Sequence, residues 1–161
     1  MDNIKIFCFG FGQVAKYFIK KIIKEKLAFE LSVTSRQESH EKTFEGLIFN
    51  SYQFSEDNLD SEIPKKVKEA DYILISIPPV SGEEVVIKML KNHLKKTKAK
   101  WITYLSATSV YGDHKGEWVS EISETKPSSN NGIRRLDAEN QWKSFSEEND
   151  LALQIFRLSG I

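Results

Sequence analysis

Two glycines and an alanine, Gly10, Gly12 and Ala15, follow the apolar run Ile4 to Phe9 and open a stretch of helical spacing from Val14. A strand, a tight glycine turn and a helix start, in that order, can together hold a pyrophosphate. Gly10 lets the chain reverse. Gly12 has no side chain, so a phosphate can approach the backbone there. Ala15 is small enough for the helix to pack closely on the strand. The free N–H groups of the first helical turn and the positive helix end then face the anion. This spacing predicts cofactor contacts from Gly10, Gly12, Gln13 and Val14. An ordinary glycine turn in an α/β protein is the plain alternative.

The residues after the second strand select among dinucleotides. An acid there would bond the adenosine ribose and repel a 2′-phosphate, whereas an arginine would receive one. This chain carries Thr34-Ser35-Arg36, with no carboxylate before Glu38. Arg36 can fork onto a phosphate and Ser35 can add a hydroxyl. The expected cofactor is therefore NADP in preference to NAD, with a solvated loop cation as the alternative for Arg36. Further along, Asp71 to Pro79 ends in Ser76-Ile77-Pro78-Pro79. Ser76, Ile77 and Pro78 are expected at the cofactor ribose, at the carboxyl edge of the sheet. The two prolines could equally do no more than break the strand.

Strand and helix patterns alternate along the whole chain. Strands are expected at Ile4–Phe9, Phe29–Thr34, Gly46–Phe49, Tyr72–Ile77, Trp101–Ser106 and Leu151–Leu158. Helices are expected from Val14, over Lys65–Ala70 behind Pro64, over Val85–Leu94 and over Ile133–Asn149. Ala107 to Gly132 is a long polar stretch rich in Gly, Ser, Asn and Pro, of the kind that is functional or mobile inside a compact domain. Repeated βαβ units give an α/β fold, a doubly wound parallel sheet of about six strands. Residues 1–161 form one domain on this reading.

Bulk properties exclude several classes. The chain has 161 residues, with 23 basic and 23 acidic side chains. No net field favours nucleic acid or an anionic membrane. The lysine clusters at 20–26 and 95–100 read as solvated helix ends. Cys8 is the single cysteine, set in an apolar strand, so an inert thiol is expected. No apolar run approaches the ~20 residues of a membrane span and no signal peptide precedes the first strand, so cytoplasm is the expected compartment. Neither His40 nor His93 has partners at metal-ligand spacing.

Leu105-Ser106-Ala107-Thr108-Ser109-Val110-Tyr111-Gly112-Asp113, Asn131-Gly132-Ile133-Arg134-Arg135-Leu136-Asp137-Ala138-Glu139 and Phe156-Arg157-Leu158-Ser159-Gly160-Ile161 occur in that order behind the glycine turn. Together they resemble the extended short-chain dehydrogenases, the NAD(P)-dependent nucleotide-sugar epimerases, dehydratases and reductases with a Rossmann fold. The resemblance covers essentially the whole chain. It implies a dinucleotide cofactor and a sugar-nucleotide-like small molecule as ligands. It also implies a tyrosine acid/base, a lysine four residues later and a Ser/Thr that orients the substrate. Asn131 falls where the tyrosine belongs, Arg135 where the lysine belongs, and Ala107 in place of the hydroxyl, with Thr108 one residue on. An asparagine amide cannot act as a general acid or base. Arg135 keeps a cation that can still hold ribose. The chain is thus similar to an atypical branch that keeps the nucleotide fold without the Tyr-Lys pair.

Tyr111 and Thr108 are the remaining catalytic candidates, with packing under the loop as the plainer role for Tyr111. Asp113 and His114 are adjacent and read as solvated loop residues. Trp118 either covers a nicotinamide or anchors the loop. The resemblance further implies a C-terminal substrate-binding part that is missing or minimal here, and a homodimer stays open. Two other readings remain: a non-catalytic dinucleotide-binding module that senses redox state or regulates a partner, and a hydroxyacid-type dehydrogenase. The Ser106–Asp113 segment argues against the second.

Overall fold

The computed structural model describes residues 3–80 and 82–159. Gly160 and Ile161, the last two residues of the Phe156–Ile161 segment, lie outside the described residues. The elements run β1 (Ile4–Phe9), α1 (Gln13–Lys24), β2 (Phe29–Ser35), β3 (His40–Phe44), β4 (Leu47–Gln53), α2 (Ile63–Glu69), β5 (Tyr72–Ile75), α3 (Val85–Leu94), β6 (Trp101–Ala107), α4 (Asn130–Glu148) and β7 (Leu153–Leu158). Among the described residues the sheet has seven strands in the order β3-β4-β2-β1-β5-β6-β7. All pairings are parallel except β3 with β4. The α/β doubly wound sheet expected from the alternating pattern is present.

Alternation along each strand divides the core. Phe7, Phe9, Ile73, Ile75, Ile102 and Tyr104 point to the face covered by α2, α3 and α4. Ile6, Cys8, Leu31, Val33, Leu74 and Leu105 point to the other, where Ala15 and Ile19 of α1 meet them. Strands buried on both faces read as continuous apolar runs, which is why β1 and β5 were legible. Among the described residues α1 is the only helix on its face. The β5–β6–β7 surface beside it stays open, with Trp101 and Phe156 about half exposed along an apolar groove of ≈ 500 Å³. No described helix is long and apolar enough to cross a membrane.

The strand beyond the expected six is β3. His40-Glu41-Lys42-Thr43-Phe44 is mostly polar because it lies at the sheet edge, so no apolar run announces it. It joins β4 through Glu45 and Gly46, at φ of 48° and 80°, the pair of positive values that a two-residue hairpin turn requires. This hairpin occupies the chain between β2 and β4 where a βαβ unit would place a crossover helix. Several boundaries also shift: β4 runs on to Gln53, α2 begins at Ile63 and β7 at Leu153, and two further shifts have a local cause. β5 stops at Ile75, before Pro78 and Pro79, which have no N–H for a ladder. α4 begins at Asn130, earlier than its apolar spacing suggests, because the Ser129 hydroxyl accepts from the Gly132 amide at 3.1 Å and caps it.

Candidate functional site

The chain leaves β1 for β2 on one side and returns to β5 on the other, so β1 is the switch point of the sheet. A crevice opens there outside the strand ends. Gly10, at φ +85°, makes the turn out of β1. Its amide donates to Thr34 Oγ1 at 2.9 Å, and the Ser76 hydroxyl donates to the Phe9 carbonyl at 3.1 Å. A Cβ on Gly10 would lie 2.9 Å from Ile77 Cγ2 and 3.0 Å from Ser76 Oγ. The turn is therefore gripped by β2 on one side and by the segment after β5 on the other. Thr34 is 2% exposed and acts as this grip, a role that its place beside Ser35 and Arg36 did not reveal.

Gly12 is the N-cap of α1 and offers no side-chain bond to the first-turn amides, whereas Glu84 caps α3 and Ser129 caps α4. A Cβ on Gly12 would meet open space. Backbone donors at a helix start are thus exposed to a crevice with no carboxylate in the first turn.

Two clefts meet at Gly12. The first, ≈ 650 Å³, is lined by Gly10, Ser35, Arg36, Ile77 and Pro78, with Lys42 of β3 and the Phe54–Asp57 segment closing it. Ser35 accepts a hydrogen bond from Ser51 at 3.1 Å, which leaves its own proton free to be donated. Arg36 is exposed and, among the described residues, engages only through its backbone carbonyl, which accepts from Gln53 Nε2 at 3.5 Å.

The second cleft, ≈ 390 Å³, is lined by Gly12, Gln13, Val14, Ser76, Thr108 and Arg135, with Leu105–Ala107 along its floor. Arg135 reaches from α4 to donate to the Leu105 carbonyl at 2.5 Å. Gly132 makes that approach feasible, since a Cβ there would stand 2.5 Å from the Ser109 carbonyl oxygen. Ser106 is 3% exposed and, among the described residues, its hydroxyl makes no hydrogen bond of good geometry. It is the buried hydroxyl at this cleft that sequence reasoning missed, one position before Ala107.

The structure brings Gly10, Gly12, Gln13, Val14, Ser35, Arg36, Ser76, Ile77, Pro78, Thr108 and Arg135 to these two clefts. Asn131 is exposed in the first turn of α4 and does not line the second cleft. Tyr111 lines a different recess of ≈ 550 Å³, which it shares with Thr108, Glu139 and Arg157. Its ring is buried beneath the Arg157 guanidinium, 4.8 Å from the ring centre.

Arg157 also forks onto Glu139, with Nη2–Oε2 at 2.7 Å and Nε–Oε1 at 3.0 Å. Burial opposes ionisation of Glu139, but the Arg157 hydrogen bonds and charge outweigh it and hold the carboxyl below its ordinary range. The pair ties α4 to β7 behind the clefts.

Two buried groups complete the electrostatics. Glu84, 2% exposed, accepts from the Val86 and Ile87 amides at 3.0 and 3.1 Å, and burial pushes its pKa up to about 7 against those bonds. Burial likewise pushes the Cys8 thiol up to about 12, as an inert core thiol requires.

The long stretch after β6 is shaped by its own polar groups. Asp113 accepts from the Lys115 amide at 2.7 Å, while the His114 ring meets the Glu124 carbonyl at 3.1 Å, so the two side chains serve separate turns. Trp118 is fully exposed. It neither covers a cleft nor anchors the loop, because backbone and hydroxyl bonds such as Lys126 N to Tyr111 O hold the segment instead. Among the described residues no cluster of His, Cys, Asp and Glu could hold a metal ion.

No family model matches the chain, and no curated protein matches it by sequence. Solved structures do. The chain is similar to a functionally unknown conserved protein from Silicibacter pomeroyi DSS, at 26% identity and TM-score 0.74 over 96% of this chain and 52% of that one. It is similar to UDP-glucuronic acid 4-epimerase from Bacillus cereus in complex with NAD, at 19% identity and TM-score 0.75, over 97% and 56%. A third is UDP-N-acetylglucosamine 4-epimerase from Methanobrevibacter ruminantium M1 in complex with UDP-N-acetylmuramic acid, at 17% identity and TM-score 0.69, over 98% and 55%. The chain spans about half the length of these structures. What it shares with the two epimerases is the Rossmann-like α/β fold.

Proposed function

We propose that this chain is an NAD(P)-binding domain of the extended short-chain dehydrogenase type, related to sugar-nucleotide epimerases and dehydratases but without their tyrosine-dependent chemistry. The observation that carries the reading is the uncapped start of α1 between two adjoining clefts, both at the carboxyl edge. A dinucleotide has two nucleoside halves joined by a pyrophosphate. Its pyrophosphate would lie on the Gly12–Val14 amides, its adenosine in the Arg36 cleft and its nicotinamide in the Arg135 cleft. The fold relatives solved in complex with NAD and with UDP-N-acetylmuramic acid support this assignment and a sugar-nucleotide-like ligand. Ser35 and Arg36, with no carboxylate after the end of β2 before Glu38, favour NADP.

Binding and catalysis separate on this reading. Asn131 stands outside the Arg135 cleft and has no titratable group, and Ala107 lacks a hydroxyl. A placed general acid/base contributes roughly a hundred- to ten-thousand-fold, so tyrosine-type turnover is expected to be negligible. The test is isothermal titration with NADP and NAD, followed by assays on a panel of sugar nucleotides with the wild type and with Asn131→Tyr/Arg135→Lys. Binding with little turnover is the expected result. Failure to bind either dinucleotide would overturn the assignment. Robust turnover by the wild type would overturn its catalytic half and direct attention to Tyr111 and Thr108.

A further inference from the structure

We infer that Lys42, on the edge hairpin, is a second cation of the adenosine cleft and that with Arg36 it brackets a ribose 2′-phosphate. The inference rests on the dinucleotide reading above and names the residue that sets its cofactor preference.

Strand alternation carries the argument. In β3, Lys42 and Phe44 are half-buried while Glu41 and Thr43 are exposed, so Lys42 and Phe44 share the inward face. Phe44 meets Phe11 of the glycine turn edge-on at 5.4 Å, and Phe49 of β4 meets the same ring at 5.1 Å. These aromatic contacts fasten the hairpin to the turn that would receive the pyrophosphate. Two residues back along the same face, Lys42 lines the cleft that Ser35 and Arg36 line from the end of β2. Neither cation makes a side-chain ion pair among the described residues, whereas Lys5, Lys20, Lys21, Lys126, Lys143 and Arg157 do. Two unpaired cations, one on β3 and one just past the end of β2, beside the Ser35 hydroxyl, suit a dianion better than a neutral ribose hydroxyl.

Glu56 and Asp57 line the same cleft from the turn after β4 and would repel a phosphate. Both are exposed, as Arg36 is, so salt and water screen these three charges alike, while Lys42 is partly withdrawn from solvent and tips the balance. The cations are therefore expected to dominate.

The experiment is titration of wild type, Lys42→Met and Lys42→Arg with NADP, NAD, 2′,5′-ADP and 5′-AMP, each at low and high salt. Methionine keeps an unbranched apolar stem and removes the charge. Lys42→Met should weaken NADP and 2′,5′-ADP by about tenfold, the scale of one charge-assisted bond. NAD and 5′-AMP should be unchanged, and Lys42→Arg should restore the preference. The preference of the wild type for 2′,5′-ADP over 5′-AMP should also shrink with salt. If Lys42→Met weakens all four ligands alike, or none, the inference is overturned while the dinucleotide assignment stands. If the wild type binds none of them, the dinucleotide assignment falls and the inference falls with it.

Discussion

Glu84 is expected to make the stability of this protein fall as the pH rises through neutrality. Its carboxylate caps α3 from a site with 2% exposure. Two backbone amides favour the charged form, but burial outweighs them and raises the pKa from 4.5 to about 7. Between those two values the folded chain holds a proton that the unfolded chain has released, so folding stability drops as pH climbs. At 1.36 kcal/mol per pH unit, the fully developed cost is about 3 kcal/mol above neutrality. Roughly 2.5 kcal/mol of it develops between about pH 5 and about pH 8. For a chain of this size that amounts to about 5–10 °C in Tm. Glu84→Gln keeps an oxygen for the Val86 and Ile87 amides and cannot ionise. Urea and thermal unfolding of both proteins across that range should give a wild-type stability that declines relative to the variant. The absolute stability at acid pH is a poor readout, because the new amide N–H₂ needs a buried partner of its own. The slope is the measurement. Parallel curves for the two proteins would show that Glu84 is ionised at no extra cost, and the reasoning from burial would be wrong.

Two further outcomes test the architecture behind the site. Arg157→Met strands the Glu139 carboxylate, which is fully buried with Lys143 at 3.7 Å as its one remaining cation among the described residues. Urea unfolding should show a loss of about 3–5 kcal/mol, much of it recovered in Glu139→Gln/Arg157→Met, and a loss below about 1 kcal/mol would contradict a buried pair. Gly132→Ala and Gly12→Ala should behave in opposite ways. The first puts a Cβ 2.5 Å from a backbone oxygen and should destabilise the fold by roughly 1–3 kcal/mol, whereas the second enters open space and should leave stability intact while weakening dinucleotide binding. Equal stability losses in both would refute the assignment of Gly12 to ligand approach.

Much of this molecule was legible along the chain because parallel strands and their helices announce themselves locally. β1 and β5 are apolar on both faces, α1 follows a glycine turn, and the order of elements alone implies a doubly wound sheet. The glycine turn and the Ser35-Arg36 pair could likewise be read from type and spacing, since turns and helix starts depend on neighbours in sequence. Other features depend on distant residues. The β3 strand is polar because an edge strand needs no buried face, and only its pairing with β4 defines it. Lys42 joins the Arg36 cleft because Phe44 is held by Phe11, 33 positions earlier in the chain. Thr34 grips Gly10 across the β1–β2 ladder, and Ser106 is a buried hydroxyl by virtue of α4 packing on β6. The separation of Tyr111 from the Arg135 cleft follows the same rule: adjacency along a loop does not decide which side of a strand end a ring faces. Local chemistry thus determined the elements and the turn that would meet a phosphate. The tertiary structure decided which charges and hydroxyls share a cleft, because those contacts are set by strand order and helix packing across the sheet.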